Sequence, residues 1–241
     1  MRIYDVIEKK AAHHELTKEE LQFFVEGLCS GKVPDYQAAA LIMAMFLNGM
    51  SDQETADLTA VMADSGEHID LSGINGVKVD KHSTGGIGDK TTLIIGPIIA
   101  ACGGKMAKMS GRGLGCTGGT IDKLESIPGF QTSLTQEQFI HNVNAIGMAV
   151  TGQTANVAPA DKKIYALRDV TATVASIPLI ASSIMSKKLA SGADKLVLDV
   201  KMGSGAFVKD LDGAKKLAEM MVRIGEMNGR ETVAVITNMN R

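Results

Sequence analysis

The chain has 241 residues, of which 45% are apolar and 22% are charged, so it can bury a sizeable core and is typical of a globular protein. Its 25 basic and 27 acidic residues give a net charge of −2, which provides no general attraction to nucleic acid or to an anionic membrane surface. The cysteines, Cys29, Cys102 and Cys116, lack CxxC spacing, so we expect no disulfide framework, no zinc site and a reducing, cytoplasmic setting. The longest apolar run, LIIGPIIAAC, is about half as long as a membrane span requires.

The first part of the chain has a helical pattern. Thr17 and Ser51 are each followed three residues later by glutamate, which is the reciprocal arrangement that caps helix N-termini. Pro34 suits a helix start, while Gly49 and Gly66 suit helix stops. The pattern predicts four helices between residue 3 and about residue 66.

After Gly76 the pattern changes, because short β-rich runs near residues 77, 105, 195 and 232 alternate with longer helical segments. This alternation predicts a mostly parallel sheet with crossover helices. Between residues 159 and 190 two helical segments follow each other without a strand, as expected if the chain rejoins the N-terminal helices. We therefore predict a helical domain of residues 1–66 and 159–192 and an α/β domain of residues 74–158 and 193–241.

A glycine-rich loop, VDKHSTGGIGDKTT, begins at Val79. It is not a Walker A loop, because Asp89 separates Gly88 from Lys90, and it is not a dinucleotide fingerprint, because Thr91 stands where the third glycine belongs. Its glycines and hydroxyls, followed by a helix that should start near Lys90, still favour an oxyanion site over a simple tight turn.

Two further loops have a similar composition. The segment KMSGRGLGCTGGTIDKLE follows the strand near residue 107 and opens a helix at Thr120. If the two strands are parallel neighbours, both loops lie at the carboxyl edge of the sheet, where ligands bind in this fold class. The third loop, KMGSGAF from Lys201, has the same placement, although its glycines serve a tight strand-to-helix turn equally well.

The helical pair after residue 159 carries a second candidate surface. Tyr165 and Arg168 are three residues apart, and Ile180, Ser183 and Lys187 are spaced by three and four, so each set shares one helix face. Two cations, a hydroxyl and an apolar surface would then face the oxyanion loops.

A competing interpretation assigns these cations no ligand. In it, Arg168 pairs with Asp169 or Asp161, and Lys187 is solvated beside Lys188. Isolated charges on helices usually behave in this way.

The runs VDKHSTGGIGDKTTL, AKMSGRGLGCTGGTIDKLES and YALRDVTATVASIPLIASSIMSKK closely resemble the pyrimidine-nucleoside phosphorylase and thymidine phosphorylase family. The resemblance implies a helical domain beside a larger phosphate-carrying α/β domain. It also implies reversible phosphorolysis of pyrimidine nucleosides such as uridine, thymidine and deoxyuridine, which yields the free base and (deoxy)ribose 1-phosphate in nucleoside salvage. No organic cofactor is implied, and phosphate is the co-substrate.

The resemblance also assigns residues. Phosphate would be bound by Lys81, Ser83, Thr92, Lys108, Ser110 and Thr120. The pyrimidine would be contacted by His82, Leu114, Tyr165, Arg168, Ile180, Ser183 and Lys187. Among these, Arg168 and Lys187 would stabilise the departing base, and His82 would protonate it because imidazole titrates near neutral pH. The alternative for His82 is a spectator that holds the loop.

Several features depart from the family pattern or extend it. Cys116 stands where the family usually has histidine, and Lys90 occupies a position where a neutral side-chain oxygen often binds a monovalent cation. A potassium ion would therefore be held only through the backbone of Gly88 and Lys90. Family members are dimers, so we expect a homodimer formed through the N-terminal helices. They are also longer than this chain, which leads us to expect a fragment with an unfinished sheet.

Two other functions remain as alternatives. An anthranilate phosphoribosyltransferase-like protein has a similar fold and a glycine-rich anion loop, but it would need an acidic pair for magnesium, and none is evident after the loops. A catalytically silent module that binds phosphate or nucleoside is the second alternative. The sequence does not distinguish a preference for uridine from one for thymidine.

Overall fold

The computed structural model describes residues 1–112 and 118–240. The chain divides into two compact units, of which the first comprises Met1–His68, Ala155–Ala190 and Arg223–Gly229. The second comprises Ile69–Thr154, Ser191–Val222 and the chain from Arg230 onward. Residues 223–229, which the sequence prediction assigned to the α/β domain, belong to the first unit.

The elements are numbered in chain order. The helices are α1 (Ile3–Ala11), α2 (Lys18–Ser30), α3 (Asp35–Asn48), α4 (Asp52–Ala63), α5 (Thr91–Ala101), α6 (Thr120–Glu125), α7 (Gln136–Ile146), α8 (Pro159–Val170), α9 (Ile177–Ala190) and α10 (Leu211–Met227). The strands are β1 (Lys78–Ser83), β2 (Lys105–Ser110), β3 (Met148–Gly152), β4 (Lys195–Met202) and β5 (Glu231–Asn238). Across the described parts of the chain, no helix has both the length and the apolar character that crossing a membrane requires.

The four predicted N-terminal helices are confirmed, and local signals explain two of their starts. The Thr17 hydroxyl accepts from the backbone N–H of Glu20 at 3.4 Å, and the Glu20 carboxylate accepts from the N–H of Thr17 at 2.8 Å. Ser51 and Glu54 form the same reciprocal pair at 3.2 and 2.9 Å. Such capping boxes satisfy backbone donors that the first helical turn leaves without partners.

The helical unit is completed by α8 and α9, as the strandless stretch of sequence predicted. Ile164 of α8 and Leu179 of α9 join the apolar core that contains Phe24 and Leu41. The ammonium of Lys163 donates to the carbonyl of Leu28 at 2.9 Å and so stabilises the C-terminal end of α2. The helices distant in sequence therefore share one core with the N-terminal ones.

The second unit contains a five-stranded sheet in the order β3-β2-β1-β4-β5. Each neighbouring pair is parallel, which confirms the predicted parallel sheet with crossover helices. The sequence runs did not predict β3, which lies at one edge of the sheet. Because β1 lies between β2 and β4, the loops that follow these three strands emerge side by side at the carboxyl edge.

Candidate functional site

The first glycine-rich loop folds back on itself through the carboxylate of Asp89. The Ser83 hydroxyl at the end of β1 donates to one oxygen of Asp89, and the Thr91 hydroxyl at the start of α5 donates to the other at 2.8 Å. Burial alone would raise the pKa of Asp89, but these hydrogen bonds and the charge of Lys81 outweigh it and lower that pKa to about 2. The carboxylate is therefore ionised at neutral pH and ties the strand end to the helix start.

Lys81, a predicted phosphate ligand, is buried among polar partners at the same edge. Its ammonium donates to the Thr91 hydroxyl at 2.6 Å and lies 2.8 Å from the carboxylate of Asp199 on β4. The Asp199 carboxylate also contacts the ammonium of Lys201 at 2.8 Å and accepts from the Thr237 hydroxyl at 2.6 Å. Burial opposes ionisation of Asp199, but the hydrogen bonds from Lys201, Lys81 and Thr237 prevail and lower its pKa.

Lys108 and Thr92 are buried beside this group. The Lys108 ammonium donates to the backbone carbonyl of Lys81 and lies 3.4 Å from the carboxylate of Asp80, so it links the neighbouring strands β2 and β1. Thr92 is the second residue of α5 and is 6% exposed. The structure therefore places both predicted residues next to the carboxyl end of β1.

A single lysine joins the first and second glycine loops. The ammonium of Lys123, on α6, donates to the carbonyl of Asp89 in the first loop and to the carbonyl of Gly118 in the second loop at 2.7 Å. Ser110 ends β2, and Thr120 begins α6, as the sequence predicted. The two loops therefore meet at one place.

Two residues named from the sequence, Leu114 and Cys116, lie outside the described residues. His82 lies on β1, is half-buried, and is paired in register with Leu198 of β4. It therefore lies between Lys81 and Ser83 at the loop entrance.

Backbone carbonyl oxygens are the candidate ligands at the expected cation position, and some of them already accept hydrogen bonds. Gly88 has a left-handed backbone with φ of 77°, and Lys90 precedes α5 with its carbonyl accepting from the N–H of Leu93 at 3.1 Å. The carbonyl between them, that of Asp89, accepts from Lys123. Within residues 1–112 and 118–240, no group of three or more His, Cys, Asp or Glu side chains is arranged to hold a metal ion. Potassium binding through the Gly88 and Lys90 carbonyls stays a prediction.

The helical unit holds the other candidate residues, and Arg168 is the most buried of them. Its side chain is 1% exposed, and its guanidinium donates to the carbonyls of Val174 at 2.7 Å, Leu179 at 3.0 Å and Thr173 at 3.4 Å. Burial lowers the pKa of Arg168, while the nearby charge of Asp161 acts in the opposite direction. The guanidinium thus fastens the connection between α8 and α9.

Lys187 is paired within the helical unit. Its ammonium contacts one carboxylate oxygen of Asp161 on α8 and lies 3.2 Å from the Ser183 hydroxyl. The other oxygen of Asp161 is buried without a hydrogen-bond partner in the described residues. The competing interpretation of Lys187 as a solvated charge is wrong, because its ammonium has these two partners and Lys188 beside it is buried. Tyr165 and Ile180 are half-buried on the same two helices.

The structure places five residues in these networks that the sequence analysis did not assign to the site. They are Asp89, Thr91, Lys123, Asp161 and Asp199. Thr91 and Asp89 stood within a quoted motif, so the motif was a signal for them. Asp199 lies within the β-rich run KLVLDV, and polar residues toward the carboxyl end of a parallel strand are a general signal for ligand sites.

Comparison with known proteins identifies the family. Residues 4–66 match the helical bundle domain of a glycosyl transferase family, and residues 75–241 match its a/b domain. The chain belongs to this glycosyl transferase family. Within the family it is 63% identical to the pyrimidine-nucleoside phosphorylase of Geobacillus stearothermophilus and 62% identical to that of Bacillus subtilis, each over all 241 residues. The resemblance stated from the three motifs is therefore confirmed.

The coverage of these relatives is partial, since the chain spans 56% of the length of each. A solved structure with a similar fold is the anthranilate phosphoribosyltransferase of Thermus thermophilus, with a TM-score of 0.74 and 22% identity over 97% of this chain and 66% of that one. At this identity the likeness concerns the fold alone.

Proposed function

We propose that the chain belongs to a pyrimidine-nucleoside phosphorylase and supplies its phosphate-binding loops and its pyrimidine-binding helices. In the reaction, a phosphate oxygen forms a bond to C1′ of the pentose as the glycosidic C1′–N1 bond breaks. The electron pair of that bond passes to the base, which takes up a proton. The products are the free pyrimidine and (deoxy)ribose 1-phosphate.

The observation that carries the proposal is the buried ammonium of Lys81 at the carboxyl edge of the sheet, in a chain 63% identical to a pyrimidine-nucleoside phosphorylase. An ammonium has three N–H donors, and the contacts to Thr91 and Asp199 use two of them. The third has no acceptor among residues 1–112 and 118–240, so we propose that it donates to a phosphate oxygen. The remaining proposed phosphate ligands are Ser83, Thr92, Lys108, Ser110 and Thr120.

Arg168 and Lys187 are proposed to stabilise the negative charge that develops on the departing base. The three carbonyl contacts of Arg168 use three of its five guanidinium donors, so in the part of the chain that the structure describes this buried, oriented cation still has N–H groups to offer. His82 is proposed to protonate the base. Tyr165, Ile180, Ser183 and Leu114, the last outside the described residues, are proposed to contact the ring.

Self-association through the N-terminal helices is a further proposal. Tyr4 of α1 and Tyr36 and Leu47 of α3 are 60%, 74% and 70% exposed, and α1 and α3 are adjacent helices. Covering these side chains in a homodimer would remove them from water. A cytoplasmic location stays a prediction from the cysteine spacing.

The test is incubation of the chain with uridine and inorganic phosphate, without added metal, while free uracil is measured. Uracil that forms only when phosphate is present supports the proposal. Binding of phosphate and uridine without release of uracil would instead assign a silent binding module. A requirement for magnesium and a phosphoribosyl pyrophosphate would favour the phosphoribosyltransferase alternative.

A further inference from the structure

The third glycine loop is joined to the first. The backbone N–H of Lys201 donates to the Thr84 hydroxyl at 2.8 Å, and the N–H of Ile87 donates to the carbonyl of Gly205 at 2.9 Å. A Cβ on Gly86 would lie 2.8 Å from that same carbonyl, closer than real side chains approach. The glycine at this position therefore permits close contact between the loops, and the third loop does more than turn the chain.

The side chain of Lys201 points to the same carboxylate as Lys81. Both ammonium groups lie 2.8 Å from the same oxygen of Asp199, so the two nitrogens are no farther apart than twice that distance. The Lys201 side chain is 5% exposed, and the Lys81 side chain is 4% exposed. Two buried ammonium groups are thus held side by side at the carboxyl edge of the sheet.

One carboxylate contacts both ammonium groups directly. Asp199 supplies one negative charge to two ammonium groups, and its other partner, the Thr237 hydroxyl, is neutral. Two further carboxylates lie nearby: Asp80 is 3.4 Å from Lys108, and Asp89 accepts from the Thr91 hydroxyl, which Lys81 also contacts. A buried ammonium group is costly unless its N–H donors have partners.

Lys201 has N–H donors that these carboxylates do not use. Its ammonium makes one contact in the described residues, to Asp199, so two of its three N–H groups have no described acceptor. A tetrahedral dianion such as phosphate offers both the negative charge and several acceptor oxygens.

We propose that Lys201 is a second ammonium ligand of the phosphate bound at Lys81, held beside it by the carboxylate of Asp199. The inference rests on the proposed function, because it concerns the phosphate site of that reaction. It adds the third glycine loop to a site that the sequence motifs placed on the first two loops.

The test is isothermal titration of inorganic phosphate into this chain and into its Lys201→Met variant. Loss of one charge-assisted contact is expected to weaken phosphate binding by roughly tenfold to a hundredfold. The matched control is Lys195→Met on the same strand, where the lysine is 46% exposed and pairs with Glu231 at 2.8 Å. That variant is expected to bind phosphate as the unchanged chain does.

A purely structural role for Lys201 predicts a different pair of results. If the lysine only neutralises Asp199, Lys201→Met should lower the melting temperature in phosphate-free buffer and leave phosphate affinity unchanged. Under our proposal the melting temperature without phosphate is maintained, because Lys81 still neutralises Asp199, and the stabilisation that phosphate adds becomes smaller.

Each remaining outcome has a definite meaning. Unchanged affinity in folded Lys201→Met, while the unchanged chain binds phosphate, overturns this inference and leaves the proposed function intact. Absence of phosphate binding by the unchanged chain overturns both. If Lys201→Met does not fold, Lys201→Gln takes its place, and failure of both to fold assigns the lysine to the structure and overturns the inference.

Discussion

Replacing Arg168 with methionine tests the most buried charge in the helical unit. The guanidinium is 1% exposed and donates to three carbonyls in the connection between α8 and α9 and at the start of α9. Methionine has similar length but no donor, so the substitution leaves those carbonyls buried without the partner they had. We expect Arg168→Met to lower the free energy of unfolding.

The hydrogen-bond distances of Arg168 determine the size of the expected loss in the free energy of unfolding. The contacts to Val174 at 2.7 Å and Leu179 at 3.0 Å have good lengths, whereas the contact to Thr173 at 3.4 Å is long. Two charge-assisted hydrogen bonds contribute about 1.5–3 kcal/mol each. Burial lowers the pKa of Arg168 because desolvation opposes the charged form, so removing the charge returns part of the lost stability. We expect a net loss of about 2–4 kcal/mol.

Urea unfolding followed by far-ultraviolet circular dichroism measures this loss. Lys162→Met is the matched control, because Lys162 is an exposed lysine on the same helix and the new side chain is the same. Arg168→Lys keeps the charge but replaces a planar fork with one nitrogen, so most of the loss should remain. A loss below about 0.5 kcal/mol for Arg168→Met, the range of ordinary surface substitutions, would refute the structural role.

The same variant also tests the proposed role in phosphorolysis. If the remaining guanidinium donors stabilise the departing base, kcat should fall by roughly tenfold to a hundredfold under conditions where the variant is folded. Phosphate affinity should hardly change, because the phosphate ligands lie in the other unit. Normal turnover by a folded Arg168→Met enzyme would remove Arg168 from the reaction and leave it a structural residue.

Four further predictions concern single features. The pKa of Asp89 is lowered to about 2 from its ordinary value of 3.8. Its contribution to stability is therefore present above about pH 4 and is lost as the pH falls through 2. Melting curves measured across this range should lose that acid dependence in Asp89→Asn. Lys123→Met removes the bridge between two glycine loops, and calorimetry should show weaker phosphate binding, whereas equal affinity would contradict the bridging role. Gly86→Ala places a methyl group against the Gly205 carbonyl and should cost about 1–3 kcal/mol in thermal unfolding, a prediction that an unchanged melting temperature would rule out. Light scattering at micromolar concentration should give a dimer, and a mass near 25.4 kDa would argue against it.

Features with a local cause could be predicted from the sequence. The helix starts at residues 18 and 52 follow from a hydroxyl and a glutamate three residues apart, and that geometry needs no distant partner. The start of α5 after the first glycine loop and of α6 after the second follow in the same way from the composition of each loop. The predicted strands that the structure confirms, β1, β2, β4 and β5, were marked by alternation with helical segments.

Other features lacked a local signal. Strand β3 is the five-residue segment MAVTG, the shortest of the five described strands, so the sequence offered little contrast with its surroundings. The partner of Lys187 was also missed, because Asp161 lies 26 residues earlier on another helix. Spacing along one helix placed Ser183 near Lys187 correctly, but it carries no information about which neighbouring helix supplies a counter-charge.

The order of the strands decides which residues meet at the oxyanion loops. If β4 had paired with β3, the strand that precedes it in sequence, then β3 and β2 would separate Asp199 from β1. Instead β4 pairs with β1, with Ser83 opposite Asp199 in register, and the carboxylate of Asp199 reaches the ammonium of Lys81. Motifs identify each loop separately, whereas this pairing joins the first and third loops. The contact of two ammonium groups with one oxygen of Asp199 is therefore a property of the topology, and it appears only once the strands are assembled.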